Sequence, residues 1–454
     1  MRKNHQKQLP LMIAVKDHPQ SQELEYISEM IDKNPTMSEL ILQDLTKGRK
    51  SDFRKGANGM SADQVLRVAI VKTLFGFTYE ELAFHIVDSQ TLRWFCRIGI
   101  ADKGFQKSTL NKNIKSLSEE SLKKIHEIIV NHAKDEGIEK GRTVRIDSTC
   151  VESNIHDPRD SSLLWDAVRV LTRLMILCQD DHGIKIAGFQ NHKRVAKRRA
   201  MSILNAKGEK QRKASYKDLI GITGKVLEYA HTAMAAIKLR SAVNSSALGL
   251  SEEISHYSEL TRKVIDQAKR RVLQGEKVPV SDKVVSIFEP HTDIIVKDRR
   301  DTYYGHKICL TGGASNLILD CMILEGNPAD SELTLPMLTR QKELYGRYPL
   351  KASFDGAFAS KDNLAKAKDM NVKDVCFAKK RGISESDMCR SHYVYSRLRK
   401  FRAGIESGIS WLKRSLGLTR CTWKGWESFK SYVWSSIIGA NLLTIARAKT
   451  GLNA

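Results

Sequence analysis

The chain has 454 residues, enough for two or three folding units and a sizeable core. Lys and Arg number 75 against 52 Asp and Glu, a formal charge of +23 with a pI near 9.6, and such an excess in a soluble chain points to a polyanion, nucleic acid first. No apolar stretch approaches the ~20 residues of a membrane span, the run Leu9 to Val15 is too short for a signal core, and eight scattered cysteines without a Cys-x2-Cys pair exclude a zinc ribbon and fit core thiols in a reducing cytoplasm.

Residues 20–55 are polar and helical in parts. From Ser61 to Phe75 the apolar spacing is helical, and Thr78-Tyr-Glu-Glu81 is a capping box that opens a helix over Glu80 to Ile86. Asp88-Ser89 starts another, containing Trp94, Phe95 and Cys96, and a cap at Ser108-Thr109 opens a helix with Asn111, Lys112, Asn113 and Lys115. Short helices in succession, the last bearing amides and lysines, suit a helix-turn-helix-like DNA reader with Lys112 at the DNA, although any small helical bundle gives the same pattern. A helix from Ser118 to about Glu136 follows.

Thr143 to Val151 is a β-branched run, hence a strand, with a carboxylate, Asp147, where the core alternation calls for an apolar side chain. The loop beyond it holds His156 and Asp160, candidates for positioning DNA or the acidic side chains, although a loop with a helix cap at Asp160 explains them at least as well. From about 163 to 275 the chain reads as long helices with a basic block from Lys193 to Lys217; Lys197, Arg198 and Arg199 suit DNA phosphates, or equally a solvated face. The interval of 208 positions from Asp147 to Asp355 exceeds what three strands and a connection need, which predicts a helical insertion after the first core strand.

The strand pattern resumes at 302–310 and 316–324, joined by the hairpin turn Thr311-Gly-Gly-Ala-Ser. A short extended run then ends at Asp355-Gly356, a strand's carboxyl end, where loops leave room for ligands. A helix over 360–369 and a strand from Asp374 to Ala378 come next. In the helix from about Tyr393 to Leu416, Arg402, Glu406 and Lys413 fall within roughly 40° on one face, beside an apolar stripe of Leu398, Ile405, Ile409, Leu412 and Leu416. Gly404 and Gly408 each cost about 1 kcal/mol there and so need a reason, such as the close approach of another backbone. A Trp-containing strand or loop at 421–426 and an apolar helix at 428–447 close the chain.

The Arg-x3-Glu-x6-Lys spacing of Arg402, Glu406 and Lys413, with the strand Asp147 followed by Ser148-Thr149 and a second acid at Asp355, resembles the bacterial insertion-sequence DDE transposases. The string from Asn154 to Asp166 resembles their ISNCY-type branch. That resemblance implies an α/β fold: a ribonuclease-H-like mixed-sheet core, with an all-α N-terminal domain and a helical insertion. The expected division is a DNA-binding domain at 1–140, core at 141–157, insertion at 158–298 and the rest of the core at 299–454.

The resemblance also implies that Asp147, Asp355 and Glu406 are catalytic and hold two Mg²⁺ or Mn²⁺ ions, with Arg402 and Lys413 on DNA. Hard cations take oxygen ligands, so three carboxylates suit them. In the family a Tyr stands three residues before the Arg; Arg399 occupies that place here, and Tyr395 is the candidate substitute. The implied activity is cutting element ends and joining their 3′-hydroxyls to target DNA, by a homodimer or higher multimer on paired ends. A ribonuclease-H-like nuclease that cuts without joining, or a catalytically inactive transposase-derived regulator, would share the same features.

Overall fold

The computed structural model describes residue 4 and residues 18–48, 59–240, 245–297 and 301–451. The apolar run at 9–15 lies outside them. By internal contacts the chain forms two units, residues 1–153 with 305–454, and residues 154–304.

Among the described residues, seven helices come first in the first unit, α1 (Pro19–Lys33), α2 (Thr36–Thr46), α3 (Ala62–Phe75), α4 (Tyr79–Asp88), α5 (Gln90–Phe95), α6 (Lys107–Ile114) and α7 (Glu119–Asp135). Their starts follow from side chains that satisfy the first backbone N–H groups. Ser61 and Gln64 form a reciprocal capping box on α3, Thr78 and Glu81 another on α4, and Ser89 and Ser118 cap α5 and α7. The cap expected at Ser108-Thr109 is displaced: α6 starts at Lys107, so both hydroxyls lie in its first turn, and Gln106 makes no capping bond.

Arg67 of α3 is fully buried and ties these helices together. Its Nε donates to Asp63 (2.8 Å), Nη2 to Asp32 (2.7 Å) and Nη1 to Ser28 (2.8 Å), beneath the Phe95 ring. Breaking a buried ion pair from one side leaves a charge without its partner. Asp63→Ala is therefore expected to destabilise the protein by roughly 3 kcal/mol, the low end for a buried pair because Asp32 remains, read as a lower urea midpoint.

Strand β1 (Thr143–Glu152) leads out of the first unit. The second unit holds α8 (Asp160–Asp180), α9 (Lys193–Leu204), α10 (Glu209–Arg240) and α11 (Ser245–Ala268), then β2 (Asp293–Lys297). These helices close on their own core, which includes Leu164, Leu171, Met175, Leu219, Val226 and Val264.

The first unit resumes along β3 (Asp301–Gly312) and continues with β4 (Ile318–Ile323), α12 (Asp330–Tyr345), β5 (Lys351–Phe354), α13 (Lys361–Asp369), β6 (Asp374–Phe377), α14 (Glu385–Met388), α15 (His392–Ser415) and α16 (Trp426–Thr450). The sheet runs β4-β3-β1-β5-β6, with β2 also paired to β3. β1 is antiparallel to β3, and β3 to β4, while β1, β5 and β6 are parallel. This is the ribonuclease-H-like arrangement that the family resemblance implies. The stretch at 421–426 is a loop rather than a strand.

Helix α16 is buried on nearly every side because it lies among α1, α3, α7 and β4, so the N-terminal helices and the sheet share one core. On it, Asn441 supplies β4 with the backbone partners an edge strand lacks: its Oδ1 accepts from Ile318 N (2.9 Å) and its Nδ2 donates to Ile318 O (2.7 Å). All eight cysteines are buried. Among the described residues no helix is long and apolar enough to cross a membrane.

Candidate catalytic site

Three elements bring the acidic side chains together. Asp147 sits mid-strand on β1, opposite Leu310 of β3, and its Oδ1 accepts from the next backbone amide, Ser148 N, at 2.8 Å. Asp355 follows the last residue of β5, in the parallel pair next to β1. The glycine after it has a packing reason, since a Cβ on Gly356 would lie 2.6 Å from Lys379 Cβ. Glu406 lies on α15, which starts at a Ser391 cap and is pinned to β5 where Ser353 Oγ donates to Leu398 O at 3.0 Å.

All three carboxylates converge on one guanidinium. Arg402 Nη1 lies 3.5 Å from Asp355 Oδ1 and 3.9 Å from Asp147 Oδ2, and Nη2 donates to Glu406 Oε1 at 2.7 Å. The cluster opens outward, from Asp147 at 17% side-chain exposure through Asp355 at 39% to Glu406 at 57%. Burial disfavours the Arg402 charge, but the bond to Glu406 and the fields of Glu406, Asp355 and Asp147 outweigh it and raise its pKa above the ordinary arginine value.

Three carboxylates against one guanidinium leave the cluster formally anionic. The donor set is all oxygen, as a hard divalent cation requires. Among the described residues, however, no group of three His, Cys, Asp or Glu side chains stands ready to hold a metal ion. In this conformation the Arg402 guanidinium lies among the carboxylates, so a cation there requires that side chain to turn away.

The other sequence-selected residues lie in different places. Lys413, on α15 and half-buried, is two helical turns beyond Glu406. Lys112 is exposed on α6. On α9, Lys197 and Arg198 are exposed, and Arg199 lies 3.2 Å from Asp218 in an ion pair. Tyr395 is buried and donates to Phe377 O of β6 at 3.4 Å, while Arg399, at the family's Tyr place, is exposed.

Neither loop candidate has a vacant ligating side. Asp160 is the buried first residue of α8, held by Gln267 Nε2 (2.7 Å) and Arg271 Nη1 (2.9 Å), which makes it a bundle tie rather than a cap or ligand group. His156 bonds Asp166 Oδ2 at 2.7 Å, a contact that raises its pKa against burial.

Two parts of the site carry no motif. Behind Asp147, on the opposite face of β1, Ser148 Oγ donates to Asp330 (2.8 Å), which also takes Lys307 Nζ (2.9 Å). Beneath α15 lies Arg145, and Gly404 is the room it needs: a Cβ there would come within 1.8 Å of Arg145 Nη1. The expected close approach at Gly404 is thus that of a side chain rather than a backbone. At Gly408 a Cβ would meet nothing within 4 Å, and the structure gives no reason for that glycine.

The family model described as "Transposase DDE domain" matches residues 291–442, and a second, "Transposase domain (DUF772)", matches residues 13–116. The chain belongs to the insertion-sequence DDE transposases. The first match takes in Asp355, Arg402, Glu406 and Lys413 but not Asp147, which lies between the two matched stretches. No curated protein and no solved structure matches the transposase. DNA is the substrate class of this family, and divalent metal ions are its general requirement.

Proposed function

We propose that this transposase cuts the ends of its insertion sequence and joins the freed 3′-hydroxyls to target DNA, with Asp147, Asp355 and Glu406 as the catalytic triad. The observation that carries this reading is the meeting of those three carboxylates, from β1, the end of β5 and α15, around Arg402. Two Mg²⁺ or Mn²⁺ ions bound there would activate the attacking oxygen and stabilise the departing one. Asp147, the deepest of the three, would serve both ions, and Asp355 and Glu406 would serve one each. Arg402, on release from the carboxylates, and Lys413 along the same stripe grip phosphates that flank the scissile bond, as charge-assisted donors do.

The reaction is two successive attacks at phosphorus, first by water and then by the freed 3′-hydroxyl on a second duplex. Lys112 of the N-terminal helices and Lys197, Arg198 and Arg199 of α9 add sequence-independent phosphate contacts. In this division of labour residues 1–140 read the element's ends, 141–157 and 299–454 form the catalytic core, and 158–298 form the inserted arm. The protein works in the cytoplasm, at the bacterial nucleoid, as a homodimer or higher multimer on paired ends.

The test is a joining assay. Full-length protein is incubated with Mg²⁺, a supercoiled plasmid and a labelled duplex carrying the DNA that flanks the gene. Labelled plasmid is the expected product; cut ends without joining would support a nuclease, and no cutting in Mg²⁺ or Mn²⁺ would support an inactive regulator.

A further inference from the structure

Arg145 lies two residues before Asp147 on β1, so both side chains leave the same face of the strand, toward α15. It is 5% exposed. Nη1 donates to Phe401 O at 3.1 Å, Nη2 to Asn316 Oδ1 at 2.5 Å, and the guanidinium stacks 4.7 Å from the Phe401 ring. Nε has no hydrogen-bond partner, and among the described residues no carboxylate pairs with the group. Glu139, whose field favours the charge, gives its own oxygens to the amides of Gly141 and Ser315. Burial lowers the Arg145 pKa.

A cation held this way is costly, and an apolar side chain of similar volume would often be neutral or stabilising in its place. Two glycines make the room for it: besides Gly404, a Cβ on Gly312 of β3 would lie 3.2 Å from Arg145 Nε and 2.8 Å from Ile405 Cδ1. The contacts bracket the helical turn of interest, because Phe401 and Gly404 flank Arg402 and Glu406 is half a turn further on. A helix lying on a sheet can slide or roll over smooth apolar side chains. A bond from the strand to one particular carbonyl cannot follow such a slip, since a one-residue shift rotates the helix by about 100° and moves it about 1.5 Å.

We infer that Arg145 is a positioning residue that fixes the phase and height of α15 on β1, so that Glu406 meets Asp147 and Asp355. The inference rests on the catalytic reading above. The Arg145→Met protein should fold with a melting temperature close to that of the parent and bind end DNA normally without metal. Its Mn²⁺ affinity, measured by electron paramagnetic resonance on the protein alone, should fall roughly 10- to 100-fold, the usual range for groups that orient metal ligands.

Gly404→Ala provides the independent variant should Arg145→Met fail to fold. It should weaken Mn²⁺ binding similarly, and Arg145→Lys, which can still reach the Phe401 carbonyl, should recover part of the affinity in either case. Mn²⁺ affinity within about twofold of the parent in the folded variant would overturn the positioning role while leaving the catalytic reading intact. If Asp147→Asn also left Mn²⁺ binding unchanged, the catalytic reading itself would fall.

Discussion

Asp147→Asn is expected to lower end cleavage by roughly 1,000-fold or more, because the amide removes a charge that metal-assisted phosphodiester attack needs and that no neighbour can supply. The substitution keeps shape and volume, and the Ser148 amide that donates to Asp147 Oδ1 can donate equally to an amide oxygen. Folding and metal-free DNA binding should therefore persist, which separates lost chemistry from lost structure. Asp355→Asn and Glu406→Gln should give losses of the same order. The double Asp147→Asn, Glu406→Gln protein should be little worse than either alone, since residues that act as one unit are not additive. A loss below tenfold in a folded Asp147→Asn protein would remove this residue from the chemistry.

Replacing Lys197, Arg198 and Arg199 together by Ala is expected to weaken DNA binding roughly 100-fold near physiological salt, through phosphate contacts alone. The diagnostic is the salt dependence. Each lost phosphate contact flattens the plot of log affinity against log salt by about 0.9, so the triple variant should lose a slope of about 2 to 3. The lower figure is favoured because Arg199 already faces Asp218 at 3.2 Å, and releasing that pair offsets part of its gain on DNA. Weakening should be uniform across sequences, as phosphate contacts carry no base information. An unchanged slope would mean that the basic face of α9 is simply solvated.

How far the sequence discloses this molecule depends on the range of the forces involved. Capping boxes are local, so Thr78 with Glu81 is legible directly and exists, while Ser61 with Gln64 forms a second box in a stretch where only the helical spacing is read. Asp147 was conspicuous because an acid in a β-branched run needs a reason, and the parallel neighbour β5 brings Asp355 beside it. The failures have equally definite causes. Ser108 and Thr109 have the chemistry of caps, but Gln106 has the extended backbone of the N-cap, so the cap falls two residues before Ser108. Asp160 looks like a cap or ligand from its neighbours, yet Gln267 and Arg271, more than a hundred residues away, take both its oxygens. Tyr395 has a helical phase close to that of Arg402, and only the fold shows that its hydroxyl donates to β6.

The same limit hid the most informative pair in the site. Gly404 looked anomalous inside a helix, and the cost of glycine there predicted a close neighbour. Nothing local could say that the neighbour is Arg145, a cation from the strand that carries Asp147. Nor could the sequence reveal that Arg402 lies among the three carboxylates rather than facing outward along its stripe.

The central claim is that three carboxylates distant in sequence form one divalent-cation site, and the most direct test is Mn²⁺ binding to the full-length protein by electron paramagnetic resonance, without DNA. The account predicts bound Mn²⁺ that is weakened or abolished by each of Asp147→Asn, Asp355→Asn and Glu406→Gln, and strengthened by Arg402→Ala, which clears the guanidinium from among them. Bound Mn²⁺ indifferent to all four substitutions, or no binding in any of them, would contradict it.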